Sequence, residues 1–285
     1  FRTESFYKRW RLLAENYNLD VTLIGPKYYV YKEFGKPIVF QPEEVNEPRF
    51  KVKHIDMLPK KYLRNDWWSW EYLSILRKEK PDIVYLVGLE TRNVVFKTYL
   101  YKKVFNKNLK IGLFSMRGKD LPLHGKEFKA RWKIASSVFD FINVHYPHGE
   151  KIFKEQGKFK GPIQLQTQIG VDKDVFYKND DIKLSIREMY NIGEHEYVFG
   201  SASRIDEIKG VFDILNACSK IDKPFKFIMM GDGIQFKETN EMIKNLRLEN
   251  KVILPGRIEN GEKVAEHMNA LDCFVHVPHT TKKWV

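Results

Sequence analysis

Four short, nearly unbroken apolar runs in the second half of the chain constrain the fold more than any other feature: YVFGSAS (197–203), FKFIMMG (225–231), KVILPG (251–256) and CFVHVP (273–278). Each is bounded by glycine, proline or charge, as strands buried on both faces are. Between them Val211, Ile214, Leu215, Cys218 and Ile221 fall on one helical face, and Met242, Ile243 and Leu246, then Val264, Ala265 and Met268, repeat the spacing. Strand alternating with helix predicts a parallel, doubly wound sheet.

The first half follows the same grammar with longer insertions. Strands are expected at DVTLIG (20–25), DIVYLVG (82–88), KIGLFSM (110–116), FDFINVHY (139–146) and PIQLQTQIG (162–170). The stretch from Pro26 to about Lys53 has no clean period and reads as a long loop with one extended piece. Residues 1–18 read as a helix with no strand before it, so the expected first strand of this domain lies upstream. At 285 residues, 43% of them hydrophobic, the chain is expected to form two α/β domains, 1–175 and 176–285.

No run approaches the roughly 18–20 apolar residues of a membrane span, and no signal peptide is recognisable. Cys218 and Cys273 sit inside apolar patterns, which fits buried thiols in a reducing compartment. The expected location is cytoplasmic, with peripheral contact at the inner membrane face. The net charge of +12 is uneven: residues 1–170 hold 32 Lys+Arg against 18 Asp+Glu, and the remainder 17 against 19. That field attracts anions, and nucleic acid, an anionic membrane or a phosphorylated substrate all satisfy it.

Candidate site residues gather where strands run into helices. In GSASRIDEIKG (200–210), Arg204 and Lys209 flank a turn ahead of a helix whose free N–H groups favour anions. Arginine offers a fork, lysine a point charge, and Gly210 lets the backbone approach. A solvated turn fits the same residues. Gly231, Asp232 and Gly233 end the next strand, as part of a phosphate fingerprint or as a plain turn. Arg257, Ile258 and Glu259 end the third, where Glu259 is a candidate for ribose or base or simply a solvated acid. His145 with His148, and His276 with His279, have i, i+3 spacing, but no residues complete a zinc set.

The order SRIDEIKG, IMMGDG, LENKVILPGRI and NALDCFVHVP resembles the nucleotide-sugar half of the retaining family 4 glycosyltransferases. IGVDKDVFYK (169–178) resembles that family's N-G-V-D-x-x-x-F segment, and KPDIVYLVG its K-P-D-x-V strand. The resemblance implies two Rossmann-like domains facing across a cleft, the GT-B type of fold. It implies an enzyme that moves a sugar from a UDP- or GDP-sugar donor to an acceptor with retention, using no cofactor and no metal. Arg204 and Lys209 match the pair that faces the donor diphosphate, a case of fixed cations meeting charge that grows in the transition state. Gly210, Gly231, Asp232, Gly233, Arg257, Ile258, Glu259 and His279 then fall on the donor side. The DKD at 172–174 belongs to the junction segment rather than to a metal site.

The sequence also departs from the family. Where many members carry a histidine facing the donor sugar, LFSMRGKD offers Ser115, Arg117 and Asp120 as candidates for sugar or acceptor contact. The glutamate segment that follows the family's tryptophan would lie beyond Val285, so a second domain incomplete at its C-terminus is expected. On the acceptor side, KKYLRNDWWSWEYL (60–73) and FKTYLYKKVFNKNLK (96–110) interleave aromatics with cations, as surfaces for anionic lipid or single-stranded nucleic acid do; a Trp and Tyr helix face packed on the sheet, with its lysines solvated, fits the same residues. A lipid-linked or saccharide acceptor is the expectation and nucleic acid is not. The readings from other classes are a basic nucleic-acid-binding α/β protein and a catalytically idle nucleotide-sugar-binding module.

Overall fold

The computed structural model of the chain describes residues 4–27, 29–31, 38–40, 44–58, 67–88, 90–117, 121, 125–167, 170–259 and 261–279. Two compact units result, one ending at Gly170 and the other running on from Val171. The first contains α1 (Glu4–Asn16), β1 (Val21–Pro26), β2 (Tyr29–Tyr31), β3 (Ile38–Phe40), β4 (Val45–Asn46), β5 (Phe50–Ile55), β6 (Met57–Leu58), β7 (Trp67–Trp68), α2 (Glu71–Glu79) and β8 (Ile83–Val87). It continues through α3 (Asn93–Val104), β9 (Lys110–Ser115), α4 (Lys126–Val138), β10 (Phe141–Val144), α5 (Pro147–Lys151), a π-helical turn at Ile152–Gln156, and β11 (Ile163–Leu165). The second contains α6 (Asp180–Met189), β12 (Tyr197–Ala202), a 3-10 turn at Glu207–Lys209, α7 (Val211–Cys218), β13 (Phe225–Met230), α8 (Phe236–Asn245), β14 (Val252–Gly256), α9 (Gly261–Asn269) and β15 (Cys273–Phe274).

In the first unit β8, β9, β10 and β11 form a parallel sheet in chain order. Ile111, Leu113, Ile142 and Val144 face a core completed by Val94, Val95 and Tyr101 of α3 and by Trp132 and Ala135 of α4. Polar atoms reaching this core are satisfied: Tyr101 Oη donates to Leu76 O at 2.9 Å and Trp132 Nε1 to Gly157 O at 2.7 Å.

The region expected as a loop carries a strand at its end. β5 pairs in parallel with β1, from Val21 opposite Phe50 to Pro26 opposite Ile55. Phe50 and Val52 alternate into a small core with Tyr7 and Ala14, while Lys51 and Lys53 reach Glu79 of α2 at 3.3 and 2.7 Å. Two lysines at alternate positions disguise a half-buried strand as a charged connector.

The second unit winds its sheet in the order β14-β13-β12-β15, all parallel. Successive side chains of β13 serve opposite faces, as a strand requires. Phe225, Phe227 and Met229 meet Leu215 of α7 and Ile243 of α8, whereas Ile228 and Met230 meet Ile186 of α6 and Ala270, just past α9. This sheet covered on both faces is what the four continuous apolar runs required.

Candidate functional site

From β12 the chain steps outward through β13 and β14, then returns to place β15 on the other side of β12. The segments leaving β12 and β15 therefore diverge at a topological switch point, where open α/β sheets place ligands. Here they also touch. Val275 N donates to Gly200 O at 2.7 Å, and four residues later His279 N donates to Ile208 O at 2.7 Å. The outgoing strand so crosses the turn that carries Arg204 and Lys209.

Gly210 makes this crossing feasible. Its φ is +66°, and a Cβ there would be driven into Val277 O. Its lack of a side chain is explained by this close approach, which also sets His279 beside the first turn of α7. The His279 imidazole Nε2 pairs with the Asp213 carboxylate on that helix. Lys209 closes the 3-10 turn, its N–H bonded to Asp206 O at 3.0 Å. Arg204 Nη2 lies 3.2 Å from Asp206 Oδ2, whose side chain is 14% exposed. An acid in the same turn thus fixes the guanidinium. Asp206 is a site residue that the sequence reading missed, although an acid two positions after the arginine was visible in it.

The turn after β13 locks onto the turn after β12. Ile205 N donates to Asp232 O at 3.0 Å, and Gln235 N to Ile205 O at 3.2 Å. A Cβ at Gly231, whose φ is +150°, would meet the Ser203 carbonyl, and one at Gly233 the Ile205 backbone. Both glycines are demanded by backbone packing between loops, whatever ligand the loops hold. The Asp232 carboxylate accepts from Gly233 N at 2.7 Å. Gly231 N donates to Gly256 O at 2.8 Å, which carries the chain of contacts to β14. There Ile258 packs into the core beneath α6 and α9, and exposed Arg257 and Glu259 flank it.

In the first unit the carboxyl edge carries side-chain chemistry instead. Buried Ser115 Oγ donates to Glu90 Oε1 at 2.8 Å, Arg117 N donates to Ser115 Oγ at 3.2 Å, and Arg117 Nε lies 3.5 Å from Glu90 Oε1. Glu90 was not singled out in the sequence, although its place just past β8 is the positional signal for such a residue. Asp120 lies outside the described residues. Among the described residues no group of three or more His, Cys, Asp and Glu could hold a metal ion. Asp172 of DKD caps its own turn, its Oδ1 accepting from Asp174 N at 3.2 Å. Burial pushes the Cys218 thiol up to about 11, so it stays protonated at neutral pH.

Residues 183–281 match the family described as glycosyl transferases group 1. An uncharacterized glycosyltransferase of Methanocaldococcus jannaschii is 26% identical over 237 residues, covering 79% of this chain and 56% of that protein. A glycosyltransferase of Rickettsia africae has a similar structure, with a TM-score of 0.61 at 20% identity over 80% of this chain and 60% of that one. So has Anabaena HepE, solved in complex with UDP-glucose, with a TM-score of 0.53 at 17% identity and the same coverages. The chain spans little more than half the length of the curated relative it matches. Its fold is that of the GT-B glycosyltransferases.

Proposed function

We propose that this chain, whose residues 183–281 carry a group 1 glycosyltransferase domain, moves a sugar from a nucleoside diphosphate-sugar to an acceptor hydroxyl. The observation that carries the reading is the crossing at the switch point. Arg204, Lys209 and His279 come to one loop cluster beside the N-terminus of α7 because the β15 exit is bonded across the β12 turn. Two cations and a helix terminus suit a diphosphate. As the bond from sugar to diphosphate breaks, charge accumulates on the leaving oxygen, and cations already fixed there lower the barrier. Asp206 keeps Arg204 in place before the donor arrives. UDP is the favoured nucleotide, since HepE is a structural neighbour with UDP-glucose bound, and GDP is its competitor in the test. Retention, membership of family 4 and a hexosyl donor rest on the motif order SRIDEIKG, IMMGDG and NALDCFVHVP. Ser115, Glu90 and Arg117 are proposed as acceptor contacts, for a lipid-linked or saccharide hydroxyl. No metal is required in this scheme, because protein cations already oppose the diphosphate.

Calorimetric titration with UDP and with GDP tests the reading. One should bind, in the presence of EDTA as well as in its absence. Arg204→Ala and Lys209→Ala should each weaken that binding about ten- to hundredfold, each losing a charge-assisted hydrogen bond. Unchanged affinity in both folded variants, or binding that requires added Mg²⁺, would overturn the diphosphate assignment or its metal independence respectively.

A further inference from the structure

Helices α2, α3 and α4 pack side by side over the core of the first unit. α3 turns Val94, Val95, Thr98 and Tyr101 inward. Its opposite face is not the polar face of an ordinary surface helix: Leu100 is 48% and Val104 61% exposed. Phe105, one residue past its end, lies to the side, its ring 5.7 Å from that of Tyr101. Trp70 and Ile134 add exposed apolar area on the neighbouring elements. The cations here lie against aromatic rings. Lys97 Nζ is 4.7 Å from the Trp70 ring centroid, and the Arg77 guanidinium 4.8 Å from that of Phe105.

From Thr91 to Lys119 the sequence has eight Lys and Arg and no acidic residue. Of these, Lys102 and Lys110 are tied to Asp140 at 2.8 and 3.6 Å and Arg117 to Glu90 at 3.5 Å, and Lys103 and Lys107 are exposed beside the apolar patch. Charge therefore selects an anionic partner. The apolar part selects among anions. Nucleic acid is gripped by rings on which bases stack, whereas here the Trp70 and Phe105 rings each carry a cation of the protein on one face and the exposed apolar side chains of α3 itself are the aliphatic Leu100 and Val104, which cannot stack. Aliphatic and aromatic groups flanked by lysines suit the boundary between headgroups and acyl chains.

We propose that the outer face of α3 docks on an anionic phospholipid bilayer, with Leu100 and Val104 entering the headgroup boundary and the exposed Lys103 and Lys107 meeting lipid phosphates. This assignment stands independently of sugar transfer, because it concerns the first unit alone. Sedimentation of the 285-residue chain with vesicles of phosphatidylcholine, with and without phosphatidylglycerol, tests it.

The chain should partition only onto the anionic vesicles, and less so as salt shortens the range of exposed charges. Leu100→Asp with Val104→Asp should lower partitioning about tenfold or more. Lys103→Glu with Lys107→Glu should do the same, since each lysine near such a surface is worth about fivefold. Lys237→Glu with Lys244→Glu, on α8 of the other unit, should leave it within about twofold if the surface site is local. Circular dichroism establishes that each variant folds, and the lysine pair decides the matter if the aspartate pair does not. Wild-type partitioning by the lysine-pair variant would overturn the proposal. So would tight binding of single-stranded RNA at a salt concentration where the vesicles are ignored.

Discussion

Asp140 and Asp272 perform the same task in two different sheets. Each immediately precedes a strand, β10 in the first unit and β15 in the second, and each bonds twice to one residue of the adjacent strand. Asp140 N donates to Ile111 O at 2.8 Å while its carboxylate accepts from Ile111 N at 2.8 Å. Asp272 N donates to Val198 O at 2.8 Å while its carboxylate accepts from Val198 N at 2.9 Å. Lys102 and Lys110 then hold the first carboxylate, and Lys183 and Arg187 the second. The amino edges of the two sheets are thus tied by one device. Their carboxyl edges differ. The second unit interlocks glycine turns to place Arg204, Lys209 and His279, and the first clusters Ser115, Glu90 and Arg117 by their side chains. Stability is built in the same way at one end of both sheets, and specialisation is confined to the other.

The largest effect should come from the interlocked turns. Gly231→Ala forces a Cβ into the Ser203 carbonyl at a φ of +150°, combining strain with overpacking, and should destabilise the second unit by about 4 kcal/mol. Hydrogen exchange should then show faster opening of β12 and β13, with β9 and β10 unchanged, and nucleotide affinity should fall. Unaltered exchange in β12 would show that the turns adapt and do not interlock.

Next in size are the carboxylates. Asp272→Ala leaves the Val198 N–H without its side-chain partner and two cations without their counter-ion. It should weaken the second unit by about 2–3 kcal/mol, mostly through the buried N–H, since exposed ion pairs contribute little. Asp140→Ala should match it in the first unit. If one costs far more than the other, the likeness of the two edges is geometric only.

The same pair sets an acid limit. Burial alone would raise both pKa values. For Asp140 the hydrogen bonds from Lys102 and Ile111 outweigh it, and for Asp272 those from Val198, Lys183 and Arg187, so both are held below the ordinary carboxylate range. A carboxylate with a depressed folded pKa stabilises above its unfolded value of about 3.9 and loses that contribution as pH falls through the folded one. Acid titration followed by hydrogen exchange should therefore loosen both units below about pH 4. Asp272→Asn should flatten the pH dependence in the second unit only.

The two halves were unequally legible in the sequence, for physical reasons. FKFIMMG and KVILPG became β13 and β14 within a residue at each end, because strands covered on both faces leave continuous apolar runs. CFVHVP kept only Cys273–Phe274 in the ladder, since the chain then leaves to cross Gly210. No pattern within CFVHVP marks a contact with a turn more than sixty residues earlier. The positions of Gly231 and Gly233 were legible, but their cause was not, because backbone-to-backbone approach is a property of two loops together. Glu90 lies 25 residues from Ser115, and a pair that distant has no periodicity to announce it.

The smallest predicted effect tests the element that the sequence concealed. In β5, Lys51 and Lys53 point to one side and converge on Glu79, whose pKa is lowered chiefly by the hydrogen bond from Lys53. The opposite side buries Phe50 and Val52, and Ile55 joins the larger core. If apolar burial forms the strand and the lysines only tether it to α2, losing the tether should cost little. Lys53→Met and Glu79→Gln, combined in a double-mutant cycle on hydrogen exchange in β5, should give a coupling of about 0.5–1 kcal/mol, as for other partly exposed pairs. Val52→Ala should cost about 2 kcal/mol or more, because it opens a cavity beside Phe50. A coupling larger than the Val52→Ala effect would reverse that ranking. The first unit would then hold β5 by charge more than by the burial of Phe50 and Val52.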